Sequence, residues 1–349
     1  MKVFEPDYQL VVDAAFNRTP KRIPLYEHII SDEIMEIVLG VQFRELAHGS
    51  RSDRRQYLRH YVEFFKTMGY DTVSFEKGIG GIMPGSGALG AHKPGVIKDR
   101  SDFARYPWDD LPRLFFERYE DDFSLLGEVM PAGMKAVGGP GNGVFECVQD
   151  VVGFMQLCYL QVDDPQLYAD LFAAVGEVMV SIWREFLRRY DSTFAVCRFG
   201  DDLGFKSATL ISEADIERHI VPQYARVVEL VHRSSKPFLL HSCGNIFGVM
   251  DPLLNVARID AKHSNEDVIA PFGVWVERYG DRIGNFGGID TDVLVQQKPK
   301  DIADYVGEVY EVAQSAGGVA LGSGNSIPNY VPSAGYLAMV DTVRSLRGE

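Results

Sequence analysis

Residues Phe238 to Asn245 read FLLHSCGN, an apolar run ending in a histidine, a cysteine two positions later and then a glycine. At i and i+2 of an extended strand, His241 and Cys243 project to the same side and can offer an imidazole nitrogen and a thiolate sulfur to one Zn2+. Two ligands do not complete a site, and the same pair could end a core strand without binding anything. Other polar residues directly follow apolar runs in the same way: Tyr26, Glu27 and His28; Glu76; Asn142 after Gly139-Pro140-Gly141; Asp201 and Asp202; His263 and Glu266; Asp290; Asn325. A carboxylate such as Glu76 or Asp202 could ligate a metal or carry a proton, but it could equally form a salt bridge or a turn cap. Cys147, Cys158 and Cys197 lie in apolar surroundings and read as small buried hydrophobes.

The runs themselves alternate with helical stretches. Eight are strand candidates: 22–26, 71–75, 134–139, 194–199, 237–242, 258–263, 282–288 and 318–323. Between them, 213–233 has helical spacing behind the N-cap candidate Ser212, and 301–316 places Ile302, Val306, Val309 and Val312 on one face before Gly317. Alternating β and α elements imply parallel strands with right-handed crossovers. The expected fold is α/β: a single (β/α)8 barrel over residues 1–349, with additional N-terminal helices within 31–68 and a long connection at 77–133. An open doubly wound sheet competes, although no Gly-x-Gly-x-x-Gly turn follows the first strand. In a barrel the active site lies at the C-terminal strand ends, so the polar residues above should share one pocket. The glycine-rich GGIMPGSGALG at 80–90 lacks the Gly-Lys-Ser/Thr ending of a phosphate loop and reads as a mobile loop over the mouth.

Composition narrows the partners. The chain has 349 residues, 46% of them hydrophobic, and a net charge of −14, which argues against a nucleic-acid backbone or an anionic membrane surface as the main partner. No run approaches the roughly 18 apolar residues of a membrane span, the start lacks a signal-peptide pattern, and four cysteines make no disulfide scaffold; the protein is expected to be cytoplasmic. No internal repeat or low-complexity linker divides it.

HSCGN, then YGDRIGNFGGID (279–290) and GGVALGSGNSIPNYVP (317–332), together with NRTPKRIPLYEH near the start, resemble the uroporphyrinogen decarboxylase superfamily over most of the chain, and especially its methyltransferase-like branch. The resemblance implies a (β/α)8 barrel. It does not imply uroporphyrinogen as substrate, because the arginine-rich element expected after strand one is here Tyr26-Glu27-His28-Ile29-Ile30, and a polyanion would meet Glu27, Glu76 and Asp202 without those cations. The branch resembling methylcobalamin:coenzyme M methyltransferases and corrinoid-linked demethylases carries a His-x-Cys-Gly zinc motif, matched by His241-Ser242-Cys243-Gly244. A further cysteine ligand of that branch is replaced by Asn325, a much poorer zinc ligand, so either a carboxylate, with Glu76 the first choice, stands as third ligand or no metal binds and the pocket does something else.

The resemblance thus implies a Zn2+ enzyme that moves a methyl group between a small methylated molecule and a corrinoid protein. Glu76, Asp202 and His241 would be catalytic, His241, Cys243 and Glu76 would hold the metal, and Tyr26, His28, Asn142, Asp201, His263, Asp290 and Asn325 would line the substrate site. A decarboxylase acting on a less anionic acid and a non-catalytic binding barrel are the rival readings.

Overall fold

The computed structural model describes residues 4–90 and 93–349. Its centre is a seven-stranded, wholly parallel sheet in sequential order: β1 (Thr72–Gly78), β2 (Lys135–Gly141), β3 (Phe194–Gly200), β4 (Phe238–His241), β5 (Ala261–His263), β6 (Gly284–Ile289) and β7 (Val319–Ser323). The strands are buried on both faces, as parallel strands between an inner core and a helical layer must be. On β3, Phe199 faces the helices and meets Trp183, Tyr224 and Phe238; Arg198, one residue away, faces inward. The period of two also turns Leu239 and His241, and Ala261 and His263, to the inner side.

That inner side has its own core. Val137, Val196, Leu239, Ala261, Phe286 and Ala320, one from each of β2 to β7, form a buried cluster with Val11, Val12, Ala14 and Ala15 of the short helix Gln9–Ala15. This helix packs against β3, β6 and β7 together, which requires the sheet to curl around it. Close approach depends on missing side chains: a Cβ on Gly318 or Gly284 would lie 2.1 Å or 2.4 Å from the Ala14 carbonyl oxygen.

The predicted strand at 22–26 is not a strand. Leu25 makes a single parallel bridge to Leu321 of β7, and Ile30 makes another to Ile327. Pro20 and Pro24 have no N–H to contribute to a ladder, and the bonds present are Tyr26 N–H to the Leu321 carbonyl (2.8 Å) and Leu321 N–H to that of Pro24 (2.9 Å). Toward β1 the segment is held by side chains: the Ser74 hydroxyl on the Glu27 carbonyl and Arg22 on Asp71 at 2.7 Å. The strand predicted at 258–263 shortens to Ala261–His263, because Arg258 adopts a left-handed conformation (φ 62°) that ends the preceding helical turn.

The helices at 32–39 and 51–67 supply the expected N-terminal additions. The stretch 213–233 is helical throughout; the Ser212 hydroxyl accepts the Asp215 N–H, and a π turn at Ile216–Ile220 precedes Pro222, which cannot donate to the turn before it. The loop at 80–90 is tied down, since the Asp150 carboxylate accepts the N–H groups of Gly87 (2.9 Å) and Leu89 (3.0 Å). No described helix is long and apolar enough to cross a membrane.

Candidate metal centre

β4 delivers His241 to the inner face at its last residue, and Cys243 follows two residues later, just after Ser242 has made one more bond to the His263 carbonyl at 2.8 Å. The Cys243 sulfur lies 3.4 Å from His241 Nε2. Asp202, two residues beyond the end of β3, completes a triangle: its Oδ1 is 3.8 Å from the same Nε2 and accepts the Cys243 N–H at 2.9 Å. One oxygen, one nitrogen and one sulfur thus lie within 4.8 Å of one another. Ligands at 2.0–2.3 Å from a tetrahedral zinc stand roughly 3.5 Å apart, so the donor set and spacing fit that ion.

A second group, His28, His241 and His263, is equally compact but fits a metal poorly. His241 Nδ1 and His263 Nδ1 are 2.7 Å apart, a hydrogen-bond distance too short for two ligands of one ion, and His263 Nε2 is committed to the Ser323 carbonyl at 2.9 Å. His28 stacks on His241 with ring centres 3.8 Å apart. Burial holds all three imidazoles below their ordinary range, His263 down to about 3, so they are neutral at pH 7, as ligation by nitrogen requires. Burial pushes the Cys243 thiol up, and the Asp202 charge adds to this; a bound metal ion reverses that preference by deprotonating the thiol.

The structure places Glu76 outside this group. Its carboxylate receives Nη2 and Nε of Arg198 at 2.8 Å and 3.2 Å. Arg198 is fully buried and also donates to the Tyr26 hydroxyl at 2.7 Å and the His28 carbonyl at 3.1 Å. Tyr26 therefore serves the guanidinium, and burial raises its hydroxyl to about 12. Asp201 accepts the N–H groups of Phe145 (2.9 Å) and Glu146 (2.8 Å), at the start of the helix Val144–Val152, and also the Tyr224 hydroxyl. Its oxygens face the protein. Asp290 likewise accepts the N–H groups of Asp292 and Asp267, each at 2.7 Å.

Asn325 does reach the centre, its Nδ2 lying 3.3 Å from the Cys243 sulfur. It also lines a cavity of about 390 Å³ with Lys206, Glu266, Asp290, Asp292 and Tyr330. Asn142 lines a different cavity of about 300 Å³ beneath the 80–90 loop and donates to Glu146 at 2.9 Å.

The uroporphyrinogen decarboxylase (URO-D) family model matches residues 135–346, which takes in β2 to β7 and every residue of the Asp202, His241 and Cys243 triangle. The chain belongs to the uroporphyrinogen decarboxylase family. Among solved structures, it is similar to a methyltransferase from Methanosarcina mazei, with a TM-score of 0.71 and 14% identity over 98% of this chain and 100% of the other. A B12-independent methionine synthase from Shewanella sp. W3-18-1 aligns at a TM-score of 0.49 and 14% identity over 85% of this chain and 88% of its own. No curated protein sequence matches it.

For a uroporphyrinogen decarboxylase family member the site is poor in free cations. Arg198 is neutralised by Glu76, and Lys262 is buried under Trp275, 3.8 Å from the ring centre. Lys206 faces Glu266, Asp290 and Asp292 across the larger cavity. Arg198, Lys262 and Glu146 stand among these groups without a role expected from the sequence. A lysine inside a strand run, as in RIDAKH, was a signal for the second; burial drops its ammonium to about 7. Burial and the neighbouring Asp201 raise the Glu146 carboxyl above its ordinary range, and nothing in VFECV announces that.

Proposed function

We propose that this protein is a zinc-dependent methyltransferase or demethylase of the uroporphyrinogen decarboxylase superfamily, moving a methyl group between a small methylated molecule and a corrinoid protein in the cytoplasm. The observation that carries the reading is the Asp202, His241 and Cys243 triangle at the ends of β3 and β4, with zinc-like donor types and spacing. The fold shared with the Methanosarcina mazei methyltransferase supports it. In this reading one domain forms a barrel, with residues 22–30 standing where an eighth strand would close it.

His241 Nε2, Cys243 Sγ and Asp202 Oδ1 are the ligands, leaving a fourth position open, as catalytic zinc sites do. When bound, zinc supplies Lewis acidity toward the heteroatom that bears the methyl group. Asp202 brings the negative charge that the branch's second cysteine would have carried, so the three ligands together balance a divalent ion. Asn325 donates to the Cys243 sulfur and holds it in place. Glu76 keeps the Arg198 guanidinium paired, so a carboxylate substrate finds no free cation there. Glu266, Asp290 and Asp292 outweigh Lys206 in the adjoining cavity and favour a neutral or cationic methyl donor.

Protein purified without chelator or metal-binding tag should contain about one zinc per chain. Asp202→Ala and Cys243→Ser should each lose most of it, while Glu76→Ala keeps it. Metal-free wild-type protein would overturn the proposal.

A further inference from the structure

We infer that His263 and Glu27 are positioning residues that fix which nitrogen of His241 carries the proton. Ser323 stands at the end of β7. The Glu27 carboxyl group grips this residue twice, accepting its backbone N–H at 2.9 Å and sharing a hydrogen bond with its hydroxyl at 2.5 Å. Glu27 is buried, and the backbone beside it runs so close to β7 that a Cβ on Gly322 would lie 1.7 Å from the Tyr26 carbonyl oxygen. The Ser323 carbonyl is thereby held toward His263 Nε2, 2.9 Å away.

A carbonyl oxygen only accepts, so His263 Nε2 must carry a hydrogen. In a neutral ring Nδ1 is then a bare lone pair. It faces His241 Nδ1 at 2.7 Å, and two lone pairs cannot face each other at that distance, so His241 Nδ1 is the donor. The proton of His241 is therefore on Nδ1, and its Nε2 presents a lone pair toward Cys243 at 3.4 Å and Asp202 at 3.8 Å. The register supports the pairing, because His241 and His263 are direct partners across β4 and β5. The chain Glu27, Ser323, His263, His241 thus presets a ligand nitrogen before any metal arrives, the task usually given to a carboxylate or carbonyl beside a ligating histidine. Only the last step, that Nε2 meets zinc, rests on the function proposed above.

The test has two arms. In the first, nitrogen-15 spectra of metal-free protein with labelled histidine, assigned with His241→Gln, should show His241 protonated at Nδ1 and bare at Nε2. In the second, zinc affinity is measured by competition with a chromophoric chelator. His263→Ala should weaken it by roughly ten- to a hundredfold, and His263→Asn, whose amide both accepts and donates, should recover part of the loss. Glu27→Ala should weaken it in the same direction and by less. A wild-type His241 protonated at Nε2 overturns the inference, as does unchanged zinc affinity in folded His263→Ala, or in His263→Phe, which keeps a ring but no nitrogen, if the alanine variant fails to fold. If the wild type binds no zinc at all, the proposed function fails, and the first arm alone decides the tautomer.

Discussion

Replacing Glu76 by alanine separates two roles for one carboxylate. In the structure Glu76 is the ionic partner of Arg198, whose side chain is fully buried. Removing it strands a guanidinium that keeps Tyr26, the His28 carbonyl and, at 3.4 Å, the Ser74 hydroxyl, but no negative charge. Breaking a buried pair from one side costs about 3–5 kcal/mol. Unfolding entropy of about 2.1 cal/mol/K per residue, taken over the whole chain, makes this a fall in Tm of roughly 4–7 °C. Glu76→Gln keeps an acceptor for one Arg198 N–H and should lose about half as much, since hydrogen bonds to charged groups are worth about 1.5–3 kcal/mol. Differential scanning calorimetry of the three proteins, with zinc content measured on the same samples, is the assay. Loss of stability with zinc retained is the expected result. Stability within about 1 kcal/mol of wild type, or zinc lost with stability unchanged, would refute the assignment and return Glu76 to the metal.

Asp201→Ala should cost about 3 kcal/mol or more, because two N–H groups at a helix start and a buried tyrosine hydroxyl lose their acceptor; urea unfolding would show it, and an unchanged midpoint would mean that Asp201 faces the substrate instead. Lys262 gives a pH signature. Its folded value of about 7 lies below the roughly 10.4 of an unfolded lysine, so the native state binds fewer protons in that window and this residue's contribution to stability rises from pH 7 to 10. Lys262→Met should lack the slope, so the wild type gains on the variant between pH 7 and pH 9; parallel curves would contradict this. Calorimetric titration with uroporphyrinogen should give no tight binding, since Arg198 and Lys262 are both engaged inside the protein.

The parallel α/β architecture was legible because buried parallel strands announce themselves as apolar runs. Phe194–Gly200 and Val319–Ser323 fall within a residue of their predicted bounds at each end. The 22–26 run failed because apolar residues can line a core without pairing, and Pro24 removes a ladder donor. His241 and Cys243 could be placed together from their spacing alone, since i and i+2 is a local relation. The position of Asp202 beside Cys243, 41 residues on, depends on how β3 and β4 align, which no local pattern encodes. Glu76 illustrates the same limit: a carboxylate at a strand end suits a metal or a salt bridge equally, and the deciding partner, Arg198, lies 122 residues away. Asp202 is expected to be catalytic and Asp201 to line the substrate site, yet adjacent residues project to opposite sides, and only Asp202 joins the triangle.

The helix Gln9–Ala15 occupies the inner side of the sheet at the N-terminal ends of its strands. Among the described residues that end of the sheet is filled, so whatever reaches the His241 ring enters and leaves past the loops that follow the strands. On the function proposed above, the methylated molecule and the corrinoid protein would therefore approach from the same side, and the two could not dock at opposite ends.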